Sequence, residues 1–449
     1  KDALEVVRMR NPFPSVCGRV CFHPCEEVCN RGNLDEPVAI NQIKRFISDL
    51  ELEEAGVIDK VSGLNRDEDK STEPMKKALE NLPQRDEKVA IIGAGPAGLT
   101  AAQDLALQGI KSTVFEKLPV AGGMLAVGIP EYRLPMKVLQ YEVDLIKKLG
   151  VDIQLNTTID KENGIDNLFS QGYKAVYIAA GSHGSMKMRI KGEETPGVIS
   201  GIDYLRNEKL GEETGLGKNV AVIGGGNVAM DTARTAIRKD CKVTILYRRT
   251  REEMPAHDWE ISEAIEEGVD VRFLVTPMEI VAGPDGRVSK IKCVKNELGE
   301  PDASGRRRPV PIEGSEYELE VDTVIASIGQ ATELEFAGGD EGLKLSKWGT
   351  IIADENTCRT DRDGVFAGGD CVTGTAMAID AIGNGKKAAE SIIRYLDGES
   401  IEGNRYEDQL MESTPLDDEV YKKTPKKDRA PRKTIPLDGR KNNFTEVEL

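Results

Sequence analysis

The sequence predicts an α/β protein: two doubly wound domains with parallel sheets, the second inserted in the first, behind a small helical module. Three observations carry this. A strand, a Gly-rich turn, a helix and a second strand run from Lys88 and recur from Asn219, so that Lys88–Glu116 aligns without a gap with Asn219–Tyr247, 131 residues further on. Two more apolar segments, Ala175–Ala180 and Val321–Ile328, end in small-residue turns, Gly181-Ser182 and Gly329-Gln330, and read as crossings between the two domains. Four of the eight cysteines lie between Cys17 and Cys29, ahead of both repeated units.

Taken in chain order, residues 1–85 are expected to be mostly helical, with helices at Ala3–Met9, Ile40–Ala55 and Met75–Leu82 and charged stretches such as Arg66–Pro74 between them. The first α/β domain is discontinuous, occupying 86–190 and 325–400, and the second fills 191–324. Residues 401–449 carry Pro, Lys, Asp and Arg with little periodicity and read as an extended tail that wraps a surface or leads to a further segment. The chain starts at Lys1, without Met and within a helical pattern, as expected of a piece of a longer polypeptide.

Composition narrows the function. With 449 residues, 31% of them charged and 39% apolar, the chain is long enough for about three soluble domains. The longest apolar runs, such as Val89–Ala94, are of strand length, so no membrane span is expected. The net charge of −17 repels phosphate backbones and argues against nucleic acid; the basic run Lys422–Arg432 is short, contains Pro and reads as solvated tail. Clustered cysteines in a chain of this size indicate metal or redox chemistry in a reducing, cytoplasmic compartment.

The first turn, Gly93-Ala94-Gly95-Pro96-Ala97-Gly98, lies between strand and helix. There Gly93 permits the tight turn, Gly95 lets backbone approach a pyrophosphate, Gly98 lets helix and strand pack, and the helix N-terminus adds partial positive charge. Glu116 closes the next strand, where its carboxylate can accept hydrogen bonds from a ribose diol. The second turn, Gly224-Gly225-Gly226-Asn227-Val228-Ala229, has the same context, but Tyr247-Arg248-Arg249 stands where the first unit has Glu116. Guanidinium groups suit a 2′-phosphate and a carboxylate repels one, so the second site favours NADP(H) over NAD(H); the plainer alternative is that both arginines are solvated or pair with Glu252 and Glu253. Near the end, Gly368-Gly369-Asp370 closes a strand ahead of a helix expected over Ala376–Leu396, which presents Asp370 to a polyol or phosphate.

Cys17, Cys21, Cys25 and Cys29 follow one another at three-residue gaps, and Pro24 blocks a continuous helix through them. Four thiols so close suit an iron–sulfur cluster, with structural zinc and unligated thiols as alternatives, and the loop is expected to wrap its ligands around a metal centre. No Cys-x-x-Cys pair exists elsewhere to act as a redox dithiol. His23 reads as an exposed loop residue, and His183 and His257 as surface residues. No acid–base constellation stands out, and none is needed where nicotinamide and flavin exchange hydride.

These motifs together, with Gly122-Gly123-Met124-Leu125 and Gly128-Ile129-Pro130-Glu131-Tyr132-Arg133-Leu134-Pro135 between them, resemble the glutamate synthase small (β) subunit family of FAD- and NAD(P)-dependent iron–sulfur oxidoreductases. That family is similar in turn to the reductase half of dihydropyrimidine dehydrogenase and to the large subunit of NADH-dependent ferredoxin:NADP oxidoreductase. The resemblance implies FAD at Gly93, Gly95, Pro96, Ala97, Gly98, Glu116, Gly122, Gly123, Met124, Leu125, Arg133, Gly369 and Asp370. It implies NADP(H) at Gly224, Gly226, Asn227, Val228, Arg248 and Arg249, and [4Fe–4S] at Cys17, Cys21, Cys25 and Cys29. Hydride would pass from NAD(P)H to FAD, and single electrons through iron–sulfur to a separate redox subunit or ferredoxin-like acceptor in a hetero-oligomeric complex. Family members usually carry a further cysteine group upstream, and their two clusters draw ligands from both groups.

Overall fold

The computed structural model describes residues 2–59, 83–303, 305–334, 342–403, 405, 418–430, 433–440 and 443–448. The expected helix Met75–Leu82 and the stretch Arg66–Pro74 lie outside them.

The N-terminal module consists of helices Asp2–Arg8, Pro14–Val20, Pro24–Glu27 and Ile40–Glu54. Pro14 starts its helix at the one place where a missing N–H costs nothing. Glu142, from the first α/β domain, caps that helix: its carboxylate accepts the N–H groups of Ser15 at 2.7 Å and Val16 at 3.1 Å. Every residue of Pro14–Val20 is buried, and Arg19 pairs with Asp49 of Ile40–Glu54 at 2.6 Å.

The first sheet contains β1 (Lys88–Ile92), β2 (Lys111–Phe115), β3 (Asp152–Gln154), β4 (Ala175–Ile178) and β16 (Val365–Ala367), all parallel, in the order β16-β4-β1-β2-β3. β1 explains its unbroken apolar run. Val89 and Ile91 pack on one face with Leu99 and Ile392, while Ala90 and Ile92 pack on the other with Val176 and Val365, as a sheet covered on both sides requires.

The second sheet holds β6 (Val198–Ser200), β7 (Asn219–Ile223), β8 (Lys242–Leu246), β9 (Asp270–Arg272) and β14 (Thr323–Ala326), in the order β6-β14-β7-β8-β9. β14 pairs wholly with β7 and β6. The crossing segments then pair with each other, β5 (Gly184–Ser185) against β15 (Gln330–Ala331). An antiparallel sheet of β10 (Val275–Ala282), β11 (Val288–Pro301), β12 (Arg307–Pro311) and β13 (Tyr317–Glu320) grows out of the second domain. The sequence reading had no counterpart for it.

The tail binds back onto the molecule. Arg429 pairs with Glu26 at 2.8 Å and the Lys427 backbone N–H donates to Asp35, while the lysines of the basic run are exposed. Further on, Glu446 bridges Arg19 at 2.8 Å and Arg45 at 2.6 Å, and the Val447 N–H donates to the Tyr132 carbonyl of the first α/β domain. Among the described residues no helix is long and apolar enough to cross a membrane.

Candidate functional site: one cavity shared by two Gly-rich turns

Both Gly-rich turns and one edge of the N-terminal module open on a single cavity of about 1350 Å³. On the first domain's side, Gly93, Gly95, Pro96, Ala97, Gly123, Met124 and Leu125 line it. Gly98 and Gly122 stand behind the wall. A Cβ on Gly98 would overlap the Gly93 carbonyl, so glycine there is what lets the helix Pro96–Leu107 meet β1. Gly123 has φ +55 and lies back to back with Gly95, leaving the Gly95 backbone bare toward the cavity.

Glu116 is 5% exposed, and its two oxygens accept the N–H groups of Ala94 and Leu118, each at 2.8 Å. Burial raises its pKa against those bonds. Asp370 and Gly369 close the opposite wall, and burial pushes the Asp370 carboxyl up to about 6. Lys117 and Glu333, paired at 2.7 Å, stand at the cavity with His183. His183 is therefore not a surface residue: burial holds its imidazole down at about 4.

From the second domain, Gly226, Asn227 and Val228 line the same cavity, and Gly224 packs behind them against Ser327. Nothing lies within 4 Å of where a Cβ on Gly226 would stand. Asn227 Oδ1 accepts the N–H of His257, whose ring stacks on Phe22 at 3.9 Å and 18°. His257, read as a surface residue, thus joins the second domain to the N-terminal module at the cavity. It occupies the N-cap position of the helix Asp258–Glu266, with its side chain making no capping bond.

Arg133 also lines the cavity, but its Nη1 donates to both Asp231 oxygens at 2.8 and 2.7 Å and its Nη2 reaches Glu260 at 2.8 Å. Asp231 and Glu260 escaped the sequence reading. They continue into Arg234, Glu267 and Arg238, with Tyr132 beneath the two arginines at 4.9 and 3.9 Å. One signal was available: Asp231 stands at i+4 from Asn227, on the face of its helix that turns to the cavity.

The expected arginine pair is divided. Arg248 is exposed, whereas Arg249 is 3% exposed and bound to Asp302 and to the Arg307 carbonyl, both at 2.6 Å.

The cysteines are divided as well. Among the described residues no three His, Cys, Asp or Glu side chains gather as a metal-binding group. Cys17 sits inside the helix Pro14–Val20 against Asn11, while Pro24 starts a separate turn that leaves Cys25 exposed. The donor chemistry nevertheless suits a cluster. The N–H groups of Val38, Arg31 and Gly32 point at the Cys29 sulfur and hold its thiol below the usual range, and Cys21 Sγ accepts the His23 N–H at 3.4 Å. His23, half-buried at φ 48, places its ring against the Cys21 carbonyl.

Two Gly-turn α/β domains facing one cavity beside a cysteine-rich helical module define a pyridine-nucleotide flavoprotein oxidoreductase. Residues 87–385 match the pyridine nucleotide-disulphide oxidoreductase family, and residues 1–56 match dihydropyrimidine dehydrogenase domain II, 4Fe-4S cluster. Over 414 residues the chain is 36% identical to the glutamate synthase [NADPH] small chain of Escherichia coli, covering 88% of this chain and 83% of that protein. The chain therefore belongs to the pyridine nucleotide-disulphide oxidoreductase family, in its glutamate synthase small-chain-like branch, and is an oxidoreductase with FAD and a [4Fe–4S] module. It is 47% identical to the NADP(+)-dependent formate dehydrogenase subunit beta of Moorella thermoacetica, covering 88% of this chain. It is 42% identical to the NADPH-Fe(3+) oxidoreductase subunit beta of Geobacter sulfurreducens, covering 92%. The chain spans 56% and 62% of the length of those two relatives. Among solved structures, FprA of Mycobacterium tuberculosis shares the fold, with TM-score 0.60 and 20% identity over 70% of this chain and 85% of that one.

Proposed function

We propose that this chain is the electron-input reductase of a larger enzyme: NADPH docks at the second domain, FAD at the first, and electrons leave through the N-terminal module to a separate redox subunit or ferredoxin-like protein. The observation that carries the reading is the shared cavity. Gly95 and Met124 of the first domain, Gly226 and Val228 of the second, and Val20 and Phe22 on either side of Cys21 all line it.

When bound, flavin supplies the conversion between a two-electron donor and a one-electron acceptor. The chain's part is to bind, orient and exclude water. The bare Gly95 backbone and the helix beginning at Pro96 would hold a pyrophosphate, Glu116 the adenosine ribose, and Gly369 and Asp370 the polyol or phosphate at the opposite wall. Val20, Phe22, Met124 and Leu125 give the meeting point of the three modules apolar walls. Burial raises the pKa of both the Glu116 and the Asp370 carboxyl.

A donor with a 2′-phosphate follows from the replacement of Glu116 by Tyr247-Arg248 in the second unit, and the relatives are named for NADPH or NADP(+). Those relatives are also named as subunits or small chains, which supports a partner subunit as acceptor. In an anaerobic titration followed at the flavin band, NADPH is expected to bleach the purified protein at lower concentration than NADH. Failure of both nucleotides to bleach it overturns the reading.

A further inference from the structure

We infer that Glu142 is a positioning residue for the electron that leaves the flavin: its buried carboxylate sets a fixed negative charge at the foot of the Cys17 helix and holds down the reduction potential of the iron–sulfur cluster bound there. The inference rests on the reading that electrons leave through the N-terminal module and on Cys17 as a cluster ligand.

Glu142 stands where an apolar residue belongs. On the helix Met136–Lys148, Leu139, Val143 and Ile146 are buried at helical spacing, and Glu142 lies in the same stripe, 0% exposed. This helix touches both ends of the electron path. Leu139 packs against Gly122, next to the Gly123 that lines the cavity, and Glu142, about one turn further on, reaches into the N-terminal module.

There its bonds go to backbone. Oε1 accepts the Ser15 N–H at 2.7 Å and Oε2 the Val16 N–H at 3.1 Å, and Val16 is joined directly to Cys17. With both oxygens accepting, the geometry is that of an ionised carboxylate, since a protonated one would turn its hydrogen against one of the two donors. Among the described residues no cation lies at ion-pair distance from it. The arginines of the module are engaged elsewhere: Arg8 with Glu51, Arg19 with Asp49 and Glu446, and Arg45 with the same two.

Capping alone does not call for a charge. A neutral acceptor satisfies the same N–H groups without the desolvation cost of an unpaired buried carboxylate. What the charge adds is a field, and water does not screen it, because Ser15, Val16 and Cys17 are all fully buried. One electron arrives from the reduced flavin and one leaves to the partner, while Glu142 exchanges neither electron nor proton. Each arrival adds one negative charge beside Cys17, and a fixed negative charge at the foot of the same helix makes that gain less favourable. The electron is therefore passed on to the separate redox subunit instead of being retained.

The test is a redox titration of the iron-loaded holoprotein followed by EPR for the cluster and by visible absorbance for the flavin. It is run above pH 8, because burial raises the Glu142 carboxyl to about 7. Glu142→Gln keeps the shape and removes the charge. It is expected to move the reduced-to-oxidised ratio of the cluster roughly tenfold toward reduced at a given potential, a rise of about 59 mV for one electron, with the flavin titration unmoved. Glu142→Asp, which keeps the charge but withdraws it by one methylene, should give a smaller rise. If iron-loaded Glu142→Gln titrates as the wild type does, Glu142 is a cap and nothing more. Where Glu142→Gln fails to take up iron, Glu142→Asp decides, and an unchanged cluster potential in it overturns the inference. A wild type with no reducible cluster, or a Cys17→Ser protein whose cluster signal is unaltered, overturns instead the reading on which the inference rests.

Discussion

Replacing Arg133 by Met removes the guanidinium that joins the first domain to the second while keeping much of its apolar stem. The side chains of Arg133, Asp231 and Glu260 are 8%, 6% and 0% exposed, so none of the three charges is screened by bulk water. Glu260 keeps Arg234 at 2.9 Å, but both Asp231 oxygens lose the Nη1 donor they share. Breaking a buried pair from one side typically costs about 3–5 kcal/mol, most of it here from Asp231. If the second domain melts as a unit, that corresponds to a fall in melting temperature on the order of 10 °C. The sign with pH follows from the carboxyl: burial already raises Asp231 to about 6, and the variant raises it further. A raised carboxyl pKa gives stability that is present below the unfolded value and lost as pH rises through the folded one, so the defect should be larger at pH 8 than at pH 5. Calorimetry across that range checks this, with Arg133→Met/Asp231→Asn expected to recover more than half of the loss. A loss below about 1 kcal/mol, or no recovery in the double variant, refutes the buried-pair argument.

Gly98→Val pushes the first helix off β1 and is expected to yield a folded protein that copurifies with no flavin; full flavin content would contradict the close packing at Gly98. In flavin-free protein, Asp370 makes stability fall as pH rises from its unfolded value near 3.8 through about 6, by no more than about 3 kcal/mol, and Asp370→Asn should flatten that slope in urea titrations. Glu446→Ala leaves Arg19 with Asp49 and Arg45 with Asp49 and Glu448, and faster hydrogen exchange is expected in the helices Pro14–Val20 and Ile40–Glu54 but not in β1 or β7. Phe22→Ala removes the stack on His257 and opens the cavity at the N-terminal module, so NADPH-driven oxygen consumption should rise relative to dye reduction; an unchanged ratio argues against a sealing role.

The parts of the fold that were legible in the sequence are those where one short segment carries both periodicity and turn chemistry. Val89–Gly98 and Val220–Ala229 declare strand, turn and helix within ten residues, and their buried faces match. The antiparallel sheet of β10 to β13 was not legible, because its strands mix charged and apolar residues on a half-exposed surface, as in Glu279, Lys290 and Lys292. Site residues on the Gly turns could be read for the same reason as the turns. Glu260 and Asp302 could not, since each matters through a partner distant in sequence: Arg133 for Glu260, and Arg249, 53 residues away, for Asp302. Arg249 shows the cost of reading side chains from adjacency alone. Next to Arg248 in sequence, it is buried where Arg248 is exposed, in the bend that follows β8.

The most direct measurement is low-temperature EPR of anaerobically purified holoprotein, with iron, sulfide and flavin quantified, before and after addition of NADPH. A signal from a reduced iron–sulfur cluster should appear on NADPH addition at about four or more irons per flavin, and should fail to appear in flavin-free Gly98→Val protein. Flavin bleaching by NADPH in iron-loaded protein without any cluster signal would contradict electron flow from the shared cavity into the N-terminal module.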